Sequence, residues 1–325
     1  MPTKTTTKVK TPIAKPISKL PLSPGHRACA GCGQLIAART VAEALGPNVI
    51  VANATGCLEV TTTPYPESAW GMPWIHSLFE NASAIASGIN AALVYKSKIK
   101  NIISKIPKVV VQGGDGGTFD IGFGLISGMW ERGENILYIC YDNEAYANTG
   151  VQASGATPWA VNTTTTPAGR SDSIDAIGSH QVKKDMIAIA LAHGLPYVAQ
   201  TTAGFLSDIT KRVKKALETG GPSYIQIMSP CIPGWKIEPS QTIKIGKLAA
   251  QTGLYPVIEY TNGKLTEAMT VTDPAPSVEE YLKQQGRYAH LFKDSQGQEQ
   301  IEYIKKIAER NIEKYGLRKS AESKV

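Results

Sequence analysis

The chain has 325 residues, 34 Lys and Arg against 27 Asp and Glu, a formal charge of +7 and 42% hydrophobic residues. These proportions are ordinary for a folded globular protein, so they exclude disorder for most of the chain and any collagen-like structure. No apolar run approaches the ~18 residues that span a bilayer, and the N-terminal segment lacks the apolar core of a signal peptide. We therefore expect a cytoplasmic protein without membrane contacts, whose cysteines serve metal binding rather than disulfides.

The positive charge is concentrated in the two tails. The first 27 residues hold six bases and no acid, and the last 22 residues hold seven bases against three acids. A protein that reads nucleic acid gathers its basic residues on a folded face. Bases in tails indicate solvated arms or arms that contact another subunit, so we expect no nucleic-acid partner.

Between residues 25 and 230, short apolar strands alternate with helices. In chain order the pattern predicts a helix at 33–45, a strand at 49–52, a helix at 81–98, a strand at 108–112, a helix that ends near residue 131, a strand at 135–141, a helix at 185–193, a strand at 197–201, a helix at 207–218 and a strand at 223–228. Uninterrupted apolar strands separated by helices are typical of a parallel sheet with helices on both faces. The predicted fold class is therefore α/β.

Three stretches lack this alternation. Residues 1–24 have no apolar periodicity and predict a flexible arm. Residues 142–173 are rich in Gly, Ala, Ser, Thr and Pro without a clear period, and 231–298 predict an extended wrap before a final amphipathic helix at 299–315. The predicted parts of the chain are an N-terminal arm (1–24), an α/β domain (25–230) and a C-terminal extension (231–325).

A carboxylate between glycines follows the strand at 108–112. Gly114-Asp115-Gly116 lies where this strand passes into a helix, and ligands of open parallel sheets bind outside the carboxyl ends of strands. The free N–H groups at a helix start suit a phosphate, but an aspartate there needs a divalent cation between itself and the phosphate. Asn143, at the end of the next strand, would supply a second oxygen ligand.

Two interpretations of this motif compete. The structural one is a glycine-rich turn in which Asp115 caps the helix N-terminus. The functional one is the signature of thiamine diphosphate, in which Gly-Asp-Gly is followed by an asparagine after the next strand. The strand–helix–strand context and the position of Asn143 favour the cofactor signature.

Four of the five cysteines lie in loops beside Gly or Pro, namely Cys29, Cys32, Cys57 and Cys231. Cys140 lies inside an apolar strand, where we interpret it as a small buried hydrophobic residue. Four loop thiols suit either a structural Zn²⁺ or a [4Fe–4S] cluster. One close pair with two distant single cysteines departs from the paired spacing of zinc sites and favours the cluster. A redox-active pair would leave Cys57 and Cys231 unexplained.

Together, the two patterns make the sequence resemble the β subunits of the 2-oxoacid:ferredoxin oxidoreductases, most closely those that act on pyruvate. The resemblance extends over most of the chain and is carried by five blocks, at 25–33, 55–59, 114–122, 141–150 and 280–288. It implies a thiamine-diphosphate-binding fold. It also implies oxidative decarboxylation of pyruvate to acetyl-CoA and CO₂, or the reverse synthesis, with electrons passed through a [4Fe–4S] cluster to ferredoxin.

The resemblance implies metal ligands at matching positions. The thiols that would ligate the cluster are those of Cys29, Cys32, Cys57 and Cys231. The groups that would ligate Mg²⁺ are the Asp115 carboxylate, the Asn143 side chain and the backbone carbonyl of Ala145. Both sets lie in loops beside predicted strand ends or helix starts.

The resemblance also places the organic cofactor. Gly116 and Gly117 would approach the diphosphate, and Asn148 would lie near the thiazolium and the bound substrate. The covering loop would run through Thr149, Gln152 and Thr157 to Arg170. Position 170 is an arginine where we expect a lysine in relatives. A lysine contacts an anion as a point charge, whereas the guanidinium of Arg170 would make a bidentate contact.

Several partners follow from the same resemblance. Thiamine activation requires a glutamate against the aminopyrimidine ring, and in this family a partner subunit supplies it. This chain would therefore hold the diphosphate half of a composite site that an α subunit completes. Further γ and δ subunits or domains of the ferredoxin type, ferredoxin itself, coenzyme A and the 2-oxoacid substrate are the other implied partners.

His76 is a further catalytic candidate. It would donate a proton near the substrate, but a histidine whose hydrogen bonds are satisfied within the fold explains the sequence equally well.

Pyruvate is the predicted substrate, and other functions stay open. An oxidoreductase for oxalate or for branched-chain 2-oxoacids would use the same cofactors, and oxalate would react without coenzyme A. A non-catalytic scaffold subunit, stabilised by zinc, would use the four loop thiols for structure alone.

Overall fold

The computed structural model describes residues 20–64, 67–99, 106–169 and 177–318. The strands in these ranges are β1 (Val49–Asn53), β2 (Trp74–His76), β3 (Lys108–Gly114), β4 (Ile136–Asp142), β5 (Tyr197–Thr202), β6 (Ser223–Met228), β7 (Ile258–Thr261) and β8 (Lys264–Ala268). The α-helices are α1 (Gly33–Leu45), α2 (Cys57–Thr62), α3 (Ala82–Val94), α4 (Phe123–Glu131), α5 (Met186–Ala192), α6 (Leu206–Glu218), α7 (Ile232–Trp235), α8 (Thr242–Gln251), α9 (Val278–Lys283) and α10 (Ser295–Lys314). None of the described helices is long and apolar enough to cross a membrane.

The strands form one sheet in the order β2-β1-β3-β4-β6-β5-β7-β8. The first six strands of this order are parallel to one another, whereas β7 and β8 are antiparallel at one edge. The central strand β4 is buried along its whole length, as its uninterrupted apolar sequence predicted. The parallel sheet predicted for residues 25–230 is therefore confirmed, and the C-terminal hairpin β7–β8 makes the complete sheet mixed.

Helices cover both faces of the sheet, so the predicted α/β class is confirmed. On one face, α1 and α6 pack over a core that includes Val51, Val110 and Ile225. On the other face, α3, α4 and α5 enclose a core that includes Val111 and Trp130. A third apolar cluster joins α8, α9 and α10 to Trp235 beside the sheet.

The prediction of an extended wrap at 231–298 is wrong. This stretch contains α7, α8 and α9, a 3₁₀ turn at Gly286–Phe292, and the β7–β8 hairpin that joins the sheet beside β5. Both strands of the hairpin are short, and β8 is largely exposed, so its sequence carries little apolar alternation. The division of the chain at residue 230 stays a prediction.

Two predicted helices begin or end in π turns. The predicted helix at 81–98 is α3 followed by a π turn at Tyr95–Ile99. After β3 the chain first forms a π turn at Gly116–Asp120, and α4 begins only at Phe123. Such π turns recur at functional sites, because they displace the backbone from regular α geometry. The predicted N-terminal arm lies mostly outside the described residues, which begin at residue 20.

Candidate functional site

Asp115 and Asn143 lie at the same edge of the sheet. Asp115 follows the last residue of β3, and Asn143 follows the last residue of β4. These strands are parallel neighbours in which Gly114 pairs with Tyr141, so their carboxyl ends lie together. Both side chains are buried. The juxtaposition expected from the sequence is therefore present.

The Asp115 carboxylate is buried, and its side-chain hydrogen bond comes from the Ser154 hydroxyl, 2.5 Å from Oδ2. Burial, and then repulsion by Asp142, raises the pKa of Asp115 well above its ordinary value. No backbone N–H of the following turn bonds the Asp115 side chain, so the interpretation as a helix cap is wrong. A carboxylate in these surroundings is stabilised most by a cation.

Four charged side chains, which we call the Lys183 cluster, lie directly behind this edge. Lys183 Nζ is 2.5 Å from Asp142 and 2.8 Å from Glu144, and Arg287 is 2.7 Å from the other Glu144 oxygen. Burial raises the pKa of Asp142 to about 6, despite the neighbouring Lys183. Burial also opposes ionisation of Glu144, yet Lys183 and Arg287 hold its pKa below the ordinary value. The cluster is thus a set of buried, mutually compensated charges.

The Lys183 cluster fixes the backbone around Asn143. Asp142 and Glu144 flank Asn143 in sequence and are both bound by the same ammonium group. Glu144 has a φ of +65°, a left-handed conformation that a non-glycine residue adopts only when its surroundings hold it. Trp235 Nε1 donates to the Asn143 carbonyl at 2.8 Å. The position of Asn143 is therefore determined by side chains distant in sequence.

Residues 143–157, which we call the crossing loop, pass over the π turn that follows β3. Tyr146 donates its hydroxyl proton to Asp120 at 2.9 Å, and the Gly155 N–H is bonded to the same carboxylate at 2.9 Å. A Cβ at position 116 would come within 2.3 Å of the Tyr146 ring. Glycine is therefore required at 116 by this packing, and its approach to a diphosphate stays a prediction.

All four loop cysteines line one cavity of about 250 Å³. Cys29 and Cys32 precede α1, whereas Cys57 begins α2 beyond the end of β1 and Cys231 follows β6. Because β1 and β6 flank β3 and β4 in the sheet, the thiols gather at the edge that also carries Asp115. The structure thus brings together cysteines that are up to about two hundred residues apart in the chain.

The cavity also contacts the crossing loop. Asn143 and Asn148 line it together with the cysteines. Asn148 is exposed, and its side chain lowers the pKa of the neighbouring Cys57 thiol, against the larger effect of burial. Thr149 is likewise exposed and bonds the half-buried Gln152, with Oγ1 2.5 Å from Oε1. The cysteine cavity and the edge that carries Asn143 are therefore contiguous.

Two cysteine loops are tied together by backbone contacts. The Gly33 N–H donates to the Pro230 carbonyl at 3.1 Å, and a Cβ at position 33 would lie 2.7 Å from the Pro230 backbone. Gly31 has a φ of +73°, and its carbonyl accepts the Thr242 hydroxyl at 2.6 Å. Glycine is needed at both positions, because one requires close backbone approach and the other a left-handed conformation.

Burial is the main influence on the pKa values of the Cys57 and Cys231 thiols. It raises the pKa of Cys57 to about 11 and that of Cys231 to about 12, and repulsion among the neighbouring thiolates adds to both shifts. In the described ranges, no three His, Cys, Asp or Glu side chains form a compact group around a single ion. Cys140 lies inside β4 with no exposed surface, so its predicted burial is confirmed.

His76 lies at the end of β2, beside the turn that precedes Cys57. Its Nε2 is 2.7 Å from the Thr55 hydroxyl, and its Nδ1 is 3.7 Å from Glu59. These contacts support the structural interpretation, and a catalytic role for His76 stays a prediction. Arg170, the predicted end of the covering loop, lies outside the described residues.

The sequence did not indicate Ser154, Lys183, Arg287 or Trp235 as parts of the site. Lys183 and Glu144 are 39 residues apart, and Arg287 and Glu144 are 143 residues apart. No local pattern joins such partners.

Comparison with known proteins identifies the class of protein first. Residues 54–227 match the family Thiamine pyrophosphate enzyme, C-terminal TPP binding domain. In the solved structure of 2-oxoglutarate:ferredoxin oxidoreductase from Magnetococcus marinus, 76% of one chain corresponds to 67% of this chain, with a TM-score of 0.51 and 23% identity. That structural likeness shows a shared fold. It agrees with the predicted thiamine-diphosphate-binding fold.

Curated relatives then define the family more closely. Pyruvate synthase subunit PorB from Methanosarcina barkeri (strain Fusaro / DSM 804) is 49% identical over 305 residues, which cover 94% of this chain and 100% of the relative. Ketoisovalerate oxidoreductase subunit VorB from Pyrococcus abyssi (strain GE5 / Orsay) is 40% identical over 295 residues, 88% of this chain and 92% of the relative. The chain belongs to the family of pyruvate synthase subunit PorB, as the resemblance predicted.

Removal of the cation at the centre of the Lys183 cluster should destabilise the fold. We expect Lys183→Met to lower the free energy of unfolding by about 3–5 kcal/mol, because Asp142 and Glu144 then lose the ammonium group that pairs with both of them. Urea unfolding of the purified chain measures the change. The control is Lys211→Met, which breaks the exposed pair with Glu267 and should cost at most about 1 kcal/mol. Equal losses in both variants would contradict the assigned importance of the cluster.

Proposed function

We propose that this chain is the β subunit of a pyruvate:ferredoxin oxidoreductase, which converts pyruvate to acetyl-CoA and CO₂ or catalyses the reverse synthesis. The observation that carries the proposal is the edge shared by two kinds of site. Four thiols line one cavity, and the asparagine after β4 lines it too, at the edge that carries the buried Asp115 carboxylate. A thiamine cofactor and an iron–sulfur cluster would thus be neighbours.

The oxygen donors after β3 and β4 suit Mg²⁺. Asp115 is a buried carboxylate whose pKa is raised by burial, so a cation would remove an existing electrostatic cost. In the proposal Asp115, the Asn143 side chain and the Ala145 carbonyl ligate the ion, a set of hard oxygen ligands. Gly116 and Gly117 then lie against the diphosphate, with Asn148 and Thr149 on the exposed side of the crossing loop.

The thiols suit a [4Fe–4S] cluster. Cys29, Cys32, Cys57 and Cys231 come from three separate loops and enclose a cavity of about 250 Å³. Burial and repulsion by neighbouring thiolates raise the pKa of Cys57 and of Cys231, and iron would reverse that balance by binding thiolates. The cavity also has largely apolar walls, including Leu35, Leu58 and Ile232, which would keep water from a bound cluster.

When bound, thiamine diphosphate supplies the electron sink for decarboxylation, and the cluster accepts electrons singly. The residues of this chain do the positioning. Asp115 and Asn143 hold the diphosphate end through the cation, and the Lys183 cluster keeps Asn143 in place. Asn148 lines the cysteine cavity from the crossing loop, so it would lie where a substrate and the cluster meet.

The proposed assembly includes other subunits. No residue of this chain matches the glutamate that activates thiamine, so the proposal assigns it to an α subunit. Ile121 and Leu125 are exposed beside the π turn at Gly116–Asp120, which supports coverage of this surface by a partner. The γ and δ components, ferredoxin and coenzyme A complete the proposal, as does a cytoplasmic location.

Pyruvate is proposed as the substrate because the relative with 49% identity is named for pyruvate synthase. Branched-chain 2-oxoacids are the alternative that a specific observation favours, since a relative with 40% identity is a ketoisovalerate oxidoreductase subunit.

Loss of the Asp115 carboxylate should weaken cofactor binding. We expect Asp115→Ala to reduce thiamine-diphosphate affinity in the presence of MgCl₂ by at least the ~10–100-fold typical of residues that orient metal ligands. Asn143→Ala should act in the same direction but less strongly, because it removes no charge. Calorimetric titration of the assembled complex measures both. The matched control is Asp185→Ala, which removes an exposed carboxylate that caps α5. Unchanged affinity in Asp115→Ala would rule out this metal site.

The cysteine assignment predicts different outcomes for two cysteines. Cys57→Ser should lose or convert the cluster and abolish electron transfer, whereas Cys140→Ser should keep it at a packing cost of about 1 kcal/mol. Iron and acid-labile sulfide, measured after anaerobic purification, report the result. Zinc without iron in the unmodified protein would support the scaffold function instead, and full iron content with activity in Cys57→Ser would contradict the ligand assignment.

The composite site predicts that the isolated chain is inactive. Reconstituted anaerobically with its α partner, ferredoxin and coenzyme A, it should turn over pyruvate in preference to branched-chain 2-oxoacids, 2-oxoglutarate and oxalate. The kcat/KM for pyruvate should exceed that for the 2-oxoacid with one more methylene by about 10–200-fold, since one methylene changes binding by about 1–3 kcal/mol. Turnover by the chain alone would contradict the composite site, and oxalate turnover without coenzyme A would contradict the pyruvate assignment.

A further inference from the structure

The crossing loop places Ser154 against Asp115. Ser154 is 7% exposed and Asp115 is 1% exposed, and the hydroxyl Oγ lies 2.5 Å from Asp115 Oδ2. The same Oγ accepts the Ala156 N–H at 3.2 Å, so its own proton is directed to the carboxylate. Because both side chains are shielded from solvent, water cannot readily replace this donor.

Ser154 is itself held by the part of the chain that carries Asn143. Its N–H donates to Thr157 Oγ1 at 2.9 Å, and Thr157 Oγ1 donates to the Glu144 carbonyl at 2.8 Å. A continuous chain of hydrogen bonds therefore runs from the backbone beside Asn143 to the Asp115 carboxylate. The two strand ends that carry the oxygen donors are connected through one serine.

We propose that Ser154 is a positioning residue for the divalent cation: its hydroxyl engages one oxygen of Asp115 and so directs the other oxygen to the metal. The inference rests on the proposed function, in which Asp115 is a magnesium ligand. Mg²⁺ requires near-ideal octahedral geometry at about 2.0–2.1 Å, so a carboxylate free to rotate binds it less well. Groups that orient metal ligands contribute about 10–100-fold to metal affinity.

The test compares Ser154→Ala with the unmodified protein in the complex assembled with its partner subunits. At saturating thiamine diphosphate, we expect the MgCl₂ concentration for half-maximal cofactor binding to rise about 10–100-fold, as calorimetry measures it. At saturating MgCl₂, kcat should stay close to that of the unmodified complex, because the cation, once bound, still anchors the cofactor.

Cation selectivity separates a positioning role from a structural one. Ca²⁺ tolerates irregular ligand geometry at about 2.3–2.6 Å. With CaCl₂ as the probe, Ser154→Ala should therefore lose less affinity than with MgCl₂, so that the preference for magnesium shrinks. A residue that only stabilised the fold would lower the affinity for both cations alike, and that result would overturn the inference.

Matched variants complete the experiment. Ser154→Thr keeps the hydroxyl and should restore the magnesium response. Ser127 lies on α4, and its hydroxyl bonds His193 at 2.8 Å. The control variant Ser127→Ala should leave both cation titrations unchanged. If Ser154→Ala does not assemble, Ser154→Cys keeps the size with a weak donor and should show a smaller rise of the same kind.

The outcomes distinguish this inference from the proposed function beneath it. If the MgCl₂ concentration for half-maximal cofactor binding is unchanged in Ser154→Ala but raised in Asp115→Ala, the positioning role is overturned and the proposed metal site stays intact. If that concentration is unchanged in both variants, the proposed metal site itself is overturned.

Discussion

The ion pairs of Lys183 are the interaction on which the rest of the site depends. Lys183 binds Asp142 and Glu144 at 2.5 and 2.8 Å, and these residues flank Asn143 at the end of β4. Buried charges of this kind are costly unless they are paired, so the cluster tolerates few alternative arrangements. Arg287 completes it from the C-terminal part of the chain, which also packs beside the sheet through its own apolar cluster.

The same edge of the sheet carries both the oxygen donors and the cysteine cavity. The thiols of Cys57 and Cys231 follow strands on either side of β3 and β4, so the order of strands alone brings a sulfur-lined cavity beside the oxygen donors. Asn148 lines the cysteine cavity, and Ser154 contacts Asp115, although both belong to one crossing loop. Residues of one short irregular loop thus meet both the cysteine cavity and the Asp115 carboxylate.

Local patterns were sufficient wherever the determining interactions are local. The apolar stripe from Gly33 to Leu45 gave α1 its observed bounds, and the uninterrupted apolar run of β4 predicted a fully buried strand. Asp115 and Asn143 were recognisable because each is an oxygen donor directly after an apolar strand, and Asp115 also lies between glycines. The β7–β8 hairpin was not, because edge strands that are short and half-exposed have little apolar alternation to detect.

The sequence by itself therefore determined the α/β class, the family, the candidate thiols and the two oxygen donors, since each rests on apolar periodicity or on short motifs that can be read without the fold. Only the tertiary structure decided how these groups are held. Ser154 meets Asp115 across 39 residues, and Arg287 meets Glu144 across 143 residues. Such pairs are selected by burial and charge compensation in the folded chain, and neither quantity exists before the sheet has brought the strand ends together.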